Sequence, residues 1–322
     1  MNIHHRIDFG IRLFRLADQR DMLNQFLQGD EWIRDMIFPA RLFLKSVGVS
    51  TIRYADLPSS REPLLLNKLE QYQVRDFLLQ QEQEIEPNLM LDRLPVGKTQ
   101  QATWLGSQQE QQLLQERLLQ LGKELTPVTQ QSLQFSPELI IHINVPQVPH
   151  SSYWLSMQSS SASEKRRAQI WLEYLLWLAY LNDDARSPEL ERIVIFSNKT
   201  LKFSGLSSSK AHEYLQLWLK AWEIGQQQPL VLPAELLMKK EWQWAENEQG
   251  KMTIVEMPEL LKAWNNSYES AKPLASDESS LLHQDWQFIL QDQDPDLALQ
   301  NCCHDFAHGL YAPIHQHLEW VK

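Results

Sequence analysis

From Leu139 to Ser163 the chain reads LIIHINVPQVPHSSYWLSMQSSSAS, with no Asp, Glu, Lys or Arg. Its first part is rich in Ile and Val and bounded by Pro and Ser, which marks buried strand rather than helix. Long leucine-periodic segments lie on both sides. The fold class that accommodates both is α/β, mixed and helix-rich, because a strand cluster without charge needs helices to cover it. Only ten glycines and sixteen prolines occur in 322 residues, too few for a loop-dominated β protein.

Two β segments are expected in this stretch, ELIIHINVP and SYWLSMQ, joined as a hairpin through Pro149-His150-Ser151-Ser152. A second hairpin is expected in RIVIFSNKTLKFSG, turning at Asn198-Lys199. Helices are predicted around Trp32 to Gly48 with a break at Pro39, over 66–82, up to a stop at Gly122, from Arg166 to Leu181, and from Ser209 to a stop at Gly225. Residues 1–30 read as a helical lead-in broken near Gly29, and 31–322 as one domain. NNSYESAKPLASDESS is expected to be a mobile loop. Asp294-Pro295 begins a C-terminal helical stretch, with a break at Gly309 and Pro313.

The net charge of −11 opposes autonomous binding to a polyanion, so any nucleic-acid contact has to be local. The compact basic cluster is Lys165-Arg166-Arg167, behind a serine run at a predicted helix start. Hydroxyls, free amides and three cations suit a phosphate backbone, and a solvated helix end suits them equally well. Tyr153 and Trp154 are candidates to stack on a base, although strand alternation buries one of them. Cys302 and Cys303 are adjacent and so poorly placed to form a disulfide with each other, which fits a reducing, cytoplasmic setting. With His304, His308, His315 and His317 they resemble a zinc site only superficially, because a C-x-x-C pair is missing. Gly97-Lys98-Thr99 lacks the upstream glycine of a phosphate-binding loop. The longest apolar run, IWLEYLLWLAYL, contains Glu173 and falls short of the roughly 20 residues that span a bilayer.

In order along the chain, FPARLFLKSVGV, PLLLNKLEQYQVRDFLL, PQV followed by a serine-rich loop and QIWLEYL, YLQLWLKAWEIGQQQPLVLP, and WNNSYES resemble the C-terminal region of RecC, the gamma chain of exodeoxyribonuclease V. The resemblance covers residues from about 31 to 320. It implies a restriction-endonuclease-like core of the PD-(D/E)XK type with its catalytic residues lost. It also implies work inside the RecBCD helicase–nuclease, holding RecB and RecD and guiding DNA split at a duplex end.

Active enzymes of that type need clustered acidic oxygens and a lysine, because Mg²⁺ takes hard oxygen ligands. Here no His lies between His5 and His142, and no Asp between Asp92 and Asp183. Where acid-x-Lys would stand, the chain reads Tyr153-Trp154-Leu155-Ser156-Met157-Gln158. No cofactor or metal is therefore expected. Gln169 and Tyr174 resemble a Gln and a Tyr of active relatives, at spacing i, i+5 rather than i, i+4, so a DNA-facing role for Gln169 competes with a plain buried helix. The alternative is a metal-dependent phosphodiesterase whose ligands have moved to Asp183, Asp184 or the stretch near Glu138.

Overall fold

A computed structural model of the chain describes residues 25–49, 68–79, 94, 98–147, 152–248, 250–269 and 278–321. The first elements are strand β1 (Gln25–Gln28), helix α1 (Gly29–Ile37) and helix α2 (Pro39–Ser46). Phe38 separates the two helices because the Pro39 ring excludes a continuous turn. Gly48, at φ 75°, ends α2 in the left-handed conformation. Phe26 and Leu27, expected in helix, are strand instead: they lie parallel to a later strand and satisfy its free backbone edge.

Helices α3 (Lys68–Leu79) and α4 (Lys98–Leu121) follow, and Gly122 at φ 59° closes α4. Strand β2 (Val128–Gln134) pairs antiparallel with β3 (Leu139–Pro146), and β1 flanks β3 on its other side. Strand β4 (Tyr153–Gln158) does not fold back on β3. It joins a second sheet, parallel to β5 (Glu191–Phe196), across helix α5 (Glu164–Leu181). The expected β3–β4 hairpin is thus replaced by a β-α-β unit, since a parallel neighbour requires a crossover. The β5–β6 hairpin, with β6 at Thr200–Phe203, forms as the sequence predicts.

Helix α5 begins at Ser163, whose Oγ accepts from the Arg166 N–H (3.4 Å), and ends at left-handed Asn182. Ile170, Trp171, Leu172, Leu175 and Leu178 are fully buried, so this helix is apolar almost all round and runs through the core. Helix α6 (Ser208–Gln227) packs on it. Gly225, predicted as a stop, sits inside α6, where a Cβ would come within 2.9 Å of Leu42 Cδ2; it permits close packing on α2.

The C-terminal part adds a short helix α7 (Ala234–Leu237), strands β7 (Trp244–Glu246) and β8 (Met252–Ile254), and helices α8 (Met257–Glu269), α9 (Glu278–Ile289), α10 (Pro295–Cys302) and α11 (His308–His317). The expected loop is helical up to Glu269 and again from Glu278; residues 270–277 lie outside the described residues. Asp294 caps α10 through the Asp296 and Leu297 N–H groups. Gly309 and Pro313 are accommodated within α11, and Cys303–Ala307 forms a π turn ahead of it. Instead of ending as helix, the chain returns as β9 (Leu318–Val321), an edge strand on β6.

The second sheet, β4-β5-β6-β9, has two clothed faces. Leu155, Ile193 and Ile195 pack with Leu114 of α4, while Trp154, Val194 and Phe196 join the main core around α5. The two sheets meet where Thr126 donates its N–H to Leu155 O and accepts from the Leu155 N–H through Oγ1, both at 2.9 Å.

Candidate functional site

Strand alternation sends Trp154, Ser156 and Gln158 of β4, with Arg192 of β5, toward α5. Arg192 is only 2% exposed. Its guanidinium donates to Glu173 Oε2 (2.8 Å), Ser156 Oγ (2.9 Å), Ile193 O (2.9 Å) and Trp154 O (3.3 Å), and lies 4.1 Å from the Trp154 ring centroid. Burial pushes the Arg192 pKa down, and the charge and hydrogen bond of Glu173 push it back up.

The network continues along α5. Gln169 donates to Glu173 Oε1 (3.2 Å) and accepts from Arg166 Nη1 (2.8 Å). Arg166, Gln169 and Glu173 follow one another at i, i+3 and i+7, so they share a helix face. A cavity of about 130 Å³ opens beside Glu173 and Trp154, lined also by Asp30 and Asn144. Asp30 Oδ2 accepts from Asn144 Nδ2 (3.1 Å).

The charge of Arg192 is matched at this locus by Glu173, while its buried Nε–H has no hydrogen-bond partner among the described residues. Both nearby carboxylates are engaged, Glu173 by Arg192 and Asp30 by Asn144. Among the described residues no group of three or more His, Cys, Asp or Glu is arranged to hold a metal ion. The positions considered for relocated ligands do structural work. Asp183 Oδ1 accepts from the Ala185 and Arg186 N–H groups, and Asp184 Oδ1 accepts from the Ser209 N–H (2.7 Å) at the start of α6. Glu138 is exposed in the β2–β3 turn.

The cysteines and histidines near the C-terminus are dispersed among separate contacts. Cys303 is buried, and Cys302 Sγ accepts from the Val231 N–H (3.2 Å). Burial lifts the Cys302 thiol to about 11 and Cys303 higher still, so neither offers a thiolate at neutral pH. His308 meets the Trp244 ring edge, and His317 stacks on Trp171 with Nδ1 3.1 Å from Ser204 O.

The basic cluster proves less free than its sequence suggests. Lys165 pairs with Glu235 (3.7 Å), and Arg167, 9% exposed, pairs with Glu164 (2.9 Å). Arg166 has only the neutral Gln169 among its described polar side-chain partners. Trp154 is 5% exposed, so a base does not reach its ring, which packs against Arg192. Tyr153 is half-buried, with Lys123 Nζ 4.6 Å from its ring centroid. Gln169 is a link in the network rather than a surface group. Glu173 and Arg192 escaped the sequence reading, although each was marked as a charge inside an otherwise apolar helix or strand, the usual sign of a buried partner.

Residues 26–249, more than half of the chain, match the family model described as the RecC C-terminal domain. No curated protein matches the chain. No helix among the described residues is long and apolar enough to cross a membrane.

Proposed function

Since the chain belongs to the RecC C-terminal domain family, we propose that it is a non-catalytic domain of the RecC subunit of the RecBCD helicase–nuclease, one that holds RecB and RecD and guides DNA at a processed duplex end. On this reading its core is restriction-endonuclease-like with the catalytic residues lost. The observation that carries it is Arg192. Hydrolysis of a phosphodiester by this chemistry needs carboxylates free to bind Mg²⁺, and a buried guanidinium already holds Glu173 against the strand where the acid-x-Lys pair is missing. DNA guidance falls more on Arg166 than on Lys165 or Arg167, whose charges are matched within the chain. A cytoplasmic location goes with that role.

Mixing the chain with the cognate RecB and RecD subunits and measuring assembly mass by size-exclusion chromatography with light scattering tests the scaffold role. A complex containing all three chains, together with no degradation of linear DNA by the isolated chain in Mg²⁺ or Mn²⁺, is the expected result. A monomer that cleaves DNA when metal is added, with a metal-dependent rise in melting temperature, would establish the phosphodiesterase instead.

A further inference from the structure

Four segments remote in sequence meet at one rim of the second sheet. The β5–β6 turn is tied to the β4–α5 loop by the Ser197 N–H donating to Ser160 O (3.1 Å) and by Asn198 Oδ1 accepting from the Ala162 N–H (2.9 Å). From α4, Arg117 reaches the same turn and donates to Phe196 O (2.5 Å) and Ser197 O (2.8 Å). From the edge strand β9, Trp320 brings its ring to within 4.7 Å of Lys199 Nζ and 5.9 Å of the Arg167 guanidinium.

Charge at this rim is unlike that of the whole chain. Lys165, Arg167 and Lys202 are matched by Glu235, Glu164, and Glu191 with Glu319. Arg117 and Lys199 have no acidic partner among the described residues: Arg117 is held by backbone carbonyls, and Lys199 is exposed against an indole. Two uncompensated cations thus sit at the β5–β6 turn of a protein of net charge −11. Beside Lys199, Trp320 is 40% exposed, large and apolar, on a strand with no further neighbour in its sheet among the described residues.

We propose that this rim binds an unpaired DNA strand, with a base stacked on Trp320 and a flanking phosphate held by Lys199. The proposal rests on the DNA-guiding reading above and gives it a specific place and ligand. An exposed indole beside cations is the combination that single-strand binders use, because every base has a π-face whereas duplex bases hide theirs. Lys199 sits on a flexible stem and exchanges the ring for a phosphate. Arg117, fixed by two carbonyls, adds positive potential without moving. Acidic peptides would answer the cations but gain nothing specific from the indole.

Fluorescence anisotropy of a labelled oligothymidylate, titrated with the full chain, tests the site. Trp320→Ala is expected to weaken binding about tenfold, and Trp320→Phe to stay within about threefold of the unsubstituted chain. Lys199→Ala should lower the slope of log affinity against log salt by about 0.7. Melting temperature checks that Trp320→Ala retains its fold; if it does not, Lys199→Glu on the exposed turn carries the test, with a loss of at least about tenfold expected. Binding unaffected by either change, no binding by the unsubstituted chain, or equal competition by polyglutamate each overturns the site. Assembly with RecB and RecD is measured separately, so a lost rim leaves the scaffold role standing, and a failed assembly leaves the rim to be judged by its own titration.

Discussion

At the scale of single residues, Arg192 and Glu173 belong to each other. Removing one partner of a buried pair leaves the other desolvated and unmatched, whereas replacing both with apolar groups of similar volume removes the desolvation penalty as well. Arg192→Met is therefore expected to cost about 3 kcal/mol, read as a shift in the urea midpoint at unchanged slope. The double change Arg192→Met with Glu173→Leu should recover most of that loss. If the double variant loses the sum of the two single effects, the two side chains are not a coupled unit. The helix entry at Asp294 was legible in the sequence because a cap is a local event, settled within three residues. Arg192 and Glu173 lie on different elements, and periodicity within one segment says nothing about which charge another segment will offer. Trp320 was missed for a related reason: its neighbours Lys199 and Arg167 come from a turn and a helix far from it in the chain.

Among the elements, α1 approaches β3 closely through Gly29. A Cβ there would lie 2.9 Å from His142 O and 3.2 Å from Ile143 Cγ2, and His142 is paired with a residue of β1 on one side and of β2 on the other. Gly29→Ala should accordingly destabilise by about 1–3 kcal/mol as the helix is pushed off the sheet. Gly106→Ala, in α4 where an added Cβ meets nothing within 4 Å, should stabilise by up to about 1 kcal/mol. Equal effects at the two glycines would mean that helix propensity, not the contact with β3, governs position 29; thermal melts of the two variants decide it. The β5–β6 hairpin was readable because two apolar runs flank a two-residue turn. Strand β2 was not: VTQQSLQ buries only Leu133 and looks like any polar connection. The β3–β4 hairpin was misread because Pro, His and Ser mark a turn without saying whether the next strand returns to the same sheet.

Across the whole molecule, the family resemblance and the helix-rich α/β class were legible because they depend on the order of many segments, and the family model matches residues 26–249. The division of the larger strands between two sheets, apart from the β7–β8 pair, was not legible, since it depends on one crossover. The sheets share the α5 core but touch backbone to backbone mainly through Thr126 and Leu155. Thr126→Val keeps the shape and removes the acceptor of the Leu155 N–H, so amide hydrogen exchange at Leu155 should rise about tenfold while Ile193 to Ile195 stay unchanged. An unchanged rate at Leu155 would show that the side-chain hydroxyl does not hold the joint. The same joint determines how the molecule bears load. The β2–β3 ladder runs through seven paired positions and β4–β5 through six, so a pull along the strands meets many bonds in shear. A pull that parts the two sheets loads only the two reciprocal backbone bonds at Thr126 and the side chains of the shared core. Force applied on opposite sides would flex this domain like a book at its spine, leaving the pages whole.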